Sequence, residues 1–208
     1  MTHGDHLVLV LDDDQSILTG LERLLTTHGY RVRLHAESDD FFRAGLPKVP
    51  ACLLLDNQLG HGMTGVQVHA ELHRRGWNLP TVFVTAHWNV QTVVNVMRAG
   101  ADGFLTKPYN PHDLLDAVEQ ALHRARSQQR DTLLTANVRA RAATLTARER
   151  EIVRLIVAGL LNKQIADQLD LALVTVKVHR GRAMRKLGAG NPAELAHAAA
   201  LAGIIKRP

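Results

Sequence analysis

The apolar positions of this chain fall into two regimes. Through the first 124 residues, short continuous apolar runs alternate with stretches in which apolar residues recur every three or four positions. The runs lie near residues 7–11, 31–35, 51–56, 81–85 and 103–106. The periodic stretches are Gln15–His28, Ser38–Ala44, Gly65–Arg75, Asn89–Ala99 and a fifth from Pro111 onward. Continuous apolar runs between helices predict strands buried on both faces, and their regular alternation with helices predicts an α/β domain with a five-stranded parallel, doubly wound sheet. Gly29 suits the end of the first helix, and Asn110 before Pro111 suits the cap and first turn of the last.

Beyond residue 124 the strand pattern stops. Residues 125–143 are polar, basic and alanine-rich, with neither glycine nor proline, which predicts a helical or partly helical linker. Residues 147–158, 162–169, 174–187 and 193–202 predict four short helices, with Asn162 and Asn191 as caps. The chain therefore divides into residues 1–124, a linker at 125–143 and an all-α domain at 144–208.

Charge follows the same division. The formal net charge of +5 is the sum of −4 over residues 1–124 and +9 over residues 125–208. An acidic module fused to a basic one points to a polyanionic partner for the second, although a solvated basic surface has the same composition. The single cysteine, Cys52, sits inside an apolar run, which leaves no disulfide framework and fits a reducing cytoplasm. No apolar stretch approaches the roughly 20 residues of a membrane span, and the first six residues lack the pattern of a secretory signal. No membrane partner is expected.

Four of the apolar runs end in chemically distinctive residues: Asp12-Asp13-Asp14, Asp56, Thr85 and Lys107-Pro108. In an open parallel sheet, ligands sit beyond the carboxyl ends of the strands. Clustered carboxylates repel, and an oxygen-only set is neutralised by a divalent cation such as Mg²⁺. Lys107 adds a positive point charge and Thr85 a hydroxyl donor, so the set lacks one anion, for which a phosphoryl group is the candidate. A carboxylate can itself serve as the nucleophile and carry an aspartyl-phosphate. Taken singly, each residue has a plainer reading: Asp14 as a helix cap, Lys107-Pro108 as a turn, Phe104 as core.

Taken together, in this order and strand context, Asp12-Asp13, Asp56, Thr85 and Lys107-Pro108 resemble the receiver domain of bacterial response regulators, a flavodoxin-like fold. The resemblance covers about residues 6–124. It implies Asp56 as phosphoacceptor and Mg²⁺ held by Asp12, Asp13, Asp56 and the backbone carbonyl of Gln58. It also implies Thr85 on the phosphoryl oxygens, Lys107 on the acyl phosphate and Phe104 as a switch aromatic. Gln58 and His87 occupy positions that tune self-dephosphorylation in the family. One departure stands out. The family usually has proline four residues after the phosphoacceptor and glycine eight after. Here Gly60 replaces the proline and Gly65 comes nine after, so the loop is one residue longer, and its three glycines make it more permissive.

In the basic module, Lys163–Leu169 and Val174–Leu187 flank a short turn, a helix-turn-helix arrangement whose second helix would enter the DNA major groove. Val176, Ala183 and Leu187 share a face suited to a core; an ordinary helical bundle would show the same pattern. The segments Leu145–Glu151, Asn162–Ala166, Thr175–His179 and Met184–Leu187 resemble the LuxR-type DNA-binding domain. With the receiver this gives the NarL/FixJ class, the helical linker being closest to the FixJ-like branch. The resemblance implies Lys177 and Val178 at base-reading positions and Gly181 facing the groove. It makes Thr175, His179, Arg180, Arg182 and Lys186 candidate phosphate contacts. The helix at 193–202 resembles one through which such domains dimerise, although Ala196, Ala199 and Ala200 suit the domain's own core equally well.

The expected protein is a DNA-binding transcriptional regulator switched by Mg²⁺-dependent phosphorylation of Asp56. Its partners would be a sensor histidine kinase, double-stranded promoter DNA, a second copy of itself on activation, and RNA polymerase. No enzymatic activity is expected beyond acceptance and loss of its own phosphoryl group. Two other readings remain: a receiver that switches without phosphorylation, and an aspartyl-phosphate phosphohydrolase. The latter class places a second Asp two residues after the nucleophile, where this chain has Gln58.

Overall fold

A computed structural model describes residues 6–60, 62–86 and 90–205, the side chains of residues 90–92 excepted. The chain forms two compact units, residues 1–129 and 130–208.

The first unit has strands β1 (Leu7–Leu11), β2 (Arg31–His35), β3 (Ala51–Leu55), β4 (Thr81–Thr85) and β5 (Gly103–Thr106). They alternate with α1 (Gln15–Thr27), α2 (Ser38–Ala44), α3 (Gly65–Arg74), α4 (Val90–Arg98) and α5 (Pro111–Ala143). All pairings are parallel, in the order β2-β1-β3-β4-β5. The α/β, doubly wound prediction holds. Because successive side chains of a strand point to opposite faces, β1, β3 and β4 each feed two cores. Leu7, Leu9, Leu11, Leu53, Leu55 and Phe83 meet Phe41, Val68, Leu72 and Val96 on one face. Val8, Val10, Cys52, Leu54, Val82 and Val84 meet Leu18, Leu21, Leu25, Leu114, Val118 and Leu122 on the other. β1, β3 and β4 are buried throughout, which is why their sequences run apolar without alternation. Each fully buried leucine contributes about 1.5–3 kcal/mol.

Caps fix where the helices begin. Asp14 accepts from the Ser16 N–H at 2.7 Å and from that of Ile17, so it is a cap. Asn110 accepts from the His112 N–H at 2.9 Å, placing Pro111 in the first turn. Gly29 follows the last turn of α1 at φ +82. Asn89, where α4 was expected to begin, lies outside the described residues.

The predicted linker has no boundary of its own. α5 continues without interruption from Pro111 to Ala143, so residues 125–143 are the second half of one 33-residue helix. Nothing in Ala125–Ala143 breaks a helix, and its alanines and arginines are good helix formers.

The second unit contains α6 (Ala147–Val157), α7 (Asn162–Leu169), α8 (Leu173–Leu187) and α9 (Pro192–Leu201) around a core that includes Ile152, Val153, Ile165, Val176, Ala183, Leu187, Leu195 and Ala199. Thr146 and Glu149 form a reciprocal capping box at α6, and Asn191 caps α9. Asn162 does not act as the cap of α7. It is the first residue of the helix, and its side chain accepts from Arg180 instead. The Leu161 N–H is satisfied by the Gln164 side chain at 2.7 Å. Of the small residues of α9, Ala199 is fully buried in the domain's own core.

Candidate functional site

The sheet order reverses at β1, with β2 on one side and β3 on the other. A cleft opens at such a switch point beyond the strand ends. Register then decides which residues share it. Leu11 pairs with Leu55, so Asp12 and Asp56 leave the sheet side by side. Thr85 pairs with Thr106, so Lys107 follows at the end of β5, and its N–H donates to the Thr85 carbonyl at 2.9 Å.

Asp12, Asp13, Asp56, Gln58, Gly60 and Lys107 line a cleft of about 780 Å³. The Lys107 ammonium donates to Asp12 Oδ2 at 2.5 Å and to Asp56 Oδ2 at 2.9 Å. One carboxylate oxygen from each of Asp12, Asp13 and Asp56 lies within 4.8 Å of the others. Burial pushes the Asp12 carboxyl up from its ordinary value, and Lys107 and the Asp14 N–H only partly oppose it. Burial also works against the Lys107 charge, but its hydrogen bonds to the two carboxylates prevail and hold its pKa above the usual range.

Three carboxylates against one ammonium leave an excess of negative charge, and every donor is a hard oxygen. That set fits a divalent cation of the Mg²⁺ type. The backbone leaves room for it: an added Cβ at Gly60 would come within 2.6 Å of Asp13 Oδ2. The Gln58 N–H donates to Asp56 Oδ1 at 3.3 Å, which brings the Gln58 backbone into the cleft.

Two predicted residues stand outside the cleft lining. Thr85 is fully buried at the end of β4. Phe104 is half-buried against the core face that contains Phe83. His87 lies outside the described residues.

In the second unit, α8 separates into two faces. Val176, Ala183 and Leu187 are buried. Val174, Lys177, Val178, Gly181, Arg182 and Arg185 form an exposed stripe with the three-to-four-residue spacing of one helical face. Val174 and Val178 are large apolar groups left exposed within it. Thr175 and His179 are half-buried beside the stripe.

Two predicted phosphate contacts have partners within the domain. Arg180 Nη1 donates to Asn162 Oδ1 at 2.8 Å, joining α8 to the start of α7. Lys186 Nζ donates to Glu149 Oε2 at 2.7 Å and to the Thr144 carbonyl at 2.9 Å. The Glu149 side chain is only 3 % exposed. Burial works against its charge, but Lys186 and the Thr146 N–H hold its carboxyl below the usual range. Lys186 therefore neutralises a buried carboxylate, a role its place in a basic helix did not indicate.

Residues 8–119 match the response regulator receiver domain family. The chain belongs to the response regulators. Residues 143–199 of this response regulator match a second family, the bacterial regulatory proteins of the luxR family. It is 35% identical over 198 residues to nodulation protein W of Bradyrhizobium diazoefficiens, covering 95% of this chain and 87% of that protein. It is 34% identical over 197 residues to the transcriptional regulatory protein FixJ of Azorhizobium caulinodans, covering 95% and 93%. Among solved structures, the response regulator StyR superposes with a TM-score of 0.82 at 36% identity, over 93% of this chain and 98% of that one. Full-length FixJ from B. japonicum gives a TM-score of 0.56 at 30% identity, over 96% and 98%.

The regulator is thus a transcriptional response regulator of a two-component system, with a receiver whose partner is a histidine kinase and a LuxR-type DNA-binding domain. The acidic pocket at Asp12, Asp13 and Asp56 is that of a receiver.

Proposed function

We propose that Mg²⁺-dependent phosphorylation of Asp56 controls DNA binding by α8. The observation that carries this is the meeting of Asp12, Asp13, Asp56 and Lys107 at the strand ends. A carboxylate oxygen of Asp56 attacks the phosphorus of a phosphohistidine, the phosphorus–nitrogen bond breaks, and an acyl phosphate forms. A bound Mg²⁺ would offset negative charge on the transferring group, with Asp12, Asp13, Asp56 and the Gln58 carbonyl holding it. Lys107 lies 2.9 Å from Asp56 and is placed to follow the charge onto the phosphoryl oxygens. Thr85 donates its hydroxyl to those oxygens after leaving its buried position, and Phe104 moves with it. Gln58 tunes the hydrolysis that returns Asp56 to its free state, and that self-dephosphorylation is the regulator's only catalytic activity.

The functional division is a receiver over 1–124, the helical segment 125–143, and a DNA-binding domain over 144–208. Lys177 and Val178 reach base edges, Gly181 faces the groove, and Thr175, His179 and Arg182 contact backbone phosphates. Phosphorylation favours a homodimer that binds two half-sites of promoter DNA and engages RNA polymerase in the cytoplasm, where that DNA is found. The test is incubation of the full chain with acetyl phosphate and Mg²⁺, read by intact mass. One phosphoryl group is expected on the wild type and none on Asp56→Asn. Labelling that survives the substitution assigns the phosphoacceptor elsewhere. A wild type that takes no label, yet binds DNA, favours a receiver switched without phosphorylation.

A further inference from the structure

We propose that Gly60 is a positioning residue for the cation site, its missing side chain setting where the Asp13 carboxylate stands. The inference rests on the Mg²⁺ reading above. Among the described residues, Lys107 holds Asp12 and Asp56, whereas no hydrogen bond or ion pair holds the Asp13 carboxylate. What borders Asp13 is the backbone of Gly60. An ideal Cβ there would lie 2.6 Å from Asp13 Oδ2 and 3.5 Å from its Cγ.

The backbone of the longer loop imposes this glycine. Gly60 has φ +51, a conformation closed to proline, whose ring fixes φ near −65°. The loop that the three glycines made permissive in sequence is held at both ends and at Leu59. Leu59 is buried in the core, and the Gln58 N–H donates to Asp56 Oδ1 at 3.3 Å. Thr64 caps α3, and the Gly65 N–H donates to the Asn57 carbonyl at 2.9 Å. A side chain at position 60 must displace either the Asp13 carboxylate or the loop backbone, and either movement changes the arrangement of the oxygen donors.

Calorimetric titration of Mg²⁺ into the full chain, without a phosphoryl donor, tests the proposal. Gly60→Asn adds a Cβ with a residue that tolerates left-handed backbone. Gly62→Asn also adds a Cβ at a positive φ, +93, where it would lie 3.3 Å from Ser38 Oγ and away from Asp13. Gly60→Asn is expected to weaken Mg²⁺ binding by about 10-fold or more, the range for groups that orient metal ligands. Gly62→Asn is expected to keep Mg²⁺ affinity near wild type, whatever its effect on the apo unfolding temperature. In an Asp13→Ala background, Gly60→Asn is expected to cause no further loss. Wild-type affinity in Gly60→Asn, equal losses in both glycine variants, or an undiminished loss in the Asp13→Ala background each overturn the proposal. A wild type that takes up no Mg²⁺ overturns the reading beneath it as well. Should Gly60→Asn fail to fold, Gly60→Ala brings the same Cβ and the same criteria.

Discussion

Lys186→Met removes the cation beside Glu149 while keeping most of the side chain's length and apolar stem. Removing one partner of a fully buried ion pair costs about 3–5 kcal/mol. Here the Lys186 side chain is 35% exposed, so water screens part of the interaction, and Glu149 keeps its capping bonds to Thr146. The expected loss is therefore lower, about 2 kcal/mol at neutral pH. In a domain of 60–100 residues each kcal/mol shifts Tm by about 4–8 °C, so the transition of the second unit should fall by roughly 8–16 °C. The pH dependence has a definite sign. The folded-state carboxyl of Glu149 lies below its ordinary value of 4.5, so its contribution is complete above that pH and is lost as pH falls through the depressed value. The gap between wild type and variant should close on acidification through that range.

The DNA readout separates this role from a phosphate contact. Each phosphate contact contributes about −0.9 to the slope of log K against log salt concentration. Lys186→Met, measured well below its transition, should keep the wild-type slope, whereas Arg182→Met, at an exposed phosphate-contact position, should make the slope shallower by about 0.9 and leave Tm unchanged. Calorimetry and salt-titrated DNA binding on the full chain give both numbers. A Lys186→Met chain with unchanged Tm and a shallower slope would refute the structural assignment of this lysine.

Gly65→Ala drives a Cβ into the Asp56 carbonyl oxygen, and a loss of about 1–3 kcal/mol is expected in urea unfolding of the first unit; a neutral effect would mean that the start of α3 yields freely. His69 is buried beside Phe83, and burial, reinforced by His73, holds its pKa below the ordinary 6.5. The unfolded chain therefore takes up the proton first as pH falls below 6.5, so wild-type stability should decline through that range, and His69→Leu should flatten the decline in a pH series of unfolding curves. Gly181 is exposed on the α8 stripe with open space around a would-be Cβ, so Gly181→Lys should fold normally and, facing the groove, change the preference among operator sequences; an unchanged preference would place position 181 away from the base edges.

Much of this architecture was legible in the sequence because it depends on burial, and burial imposes a period. The uninterrupted apolar runs of β1, β3 and β4 follow from helices on both sheet faces, and the positions of Asp12 and Asp56 follow from the parallel register. The core face of α8 was legible for the same reason, since Val176, Ala183 and Leu187 repeat at helical spacing. The uninterrupted α5 was half legible: the composition of residues 125–143 permits a helix, but only the absence of a break at residue 124 shows that it is the same helix.

Pairings between distant residues leave no such period. Glu149 and Lys186 stand 37 positions apart, and each has a complete local explanation, one as the acid of a capping box and the other as a cation of a basic helix. A local explanation that is true still conceals the longer-range partner, because a single carboxylate oxygen, here Glu149 Oε2, can accept from a helix-capping N–H and an ammonium at once. Arg180 and Asn162 are a second such pair: Asn162 is not the cap its position suggested, and its side chain accepts from Arg180, a bond that no local pattern announces. Gly60 is the converse case. Its chemistry is nil, and its meaning lies in the Asp13 carboxylate that a Cβ would strike. In both cases the deciding quantity is a distance across the fold. On that ground, cations of α8 with a carboxylate or amide partner inside the domain are expected to serve its stability first, and those on the open stripe, Lys177, Arg182 and Arg185, are the ones expected to act on DNA.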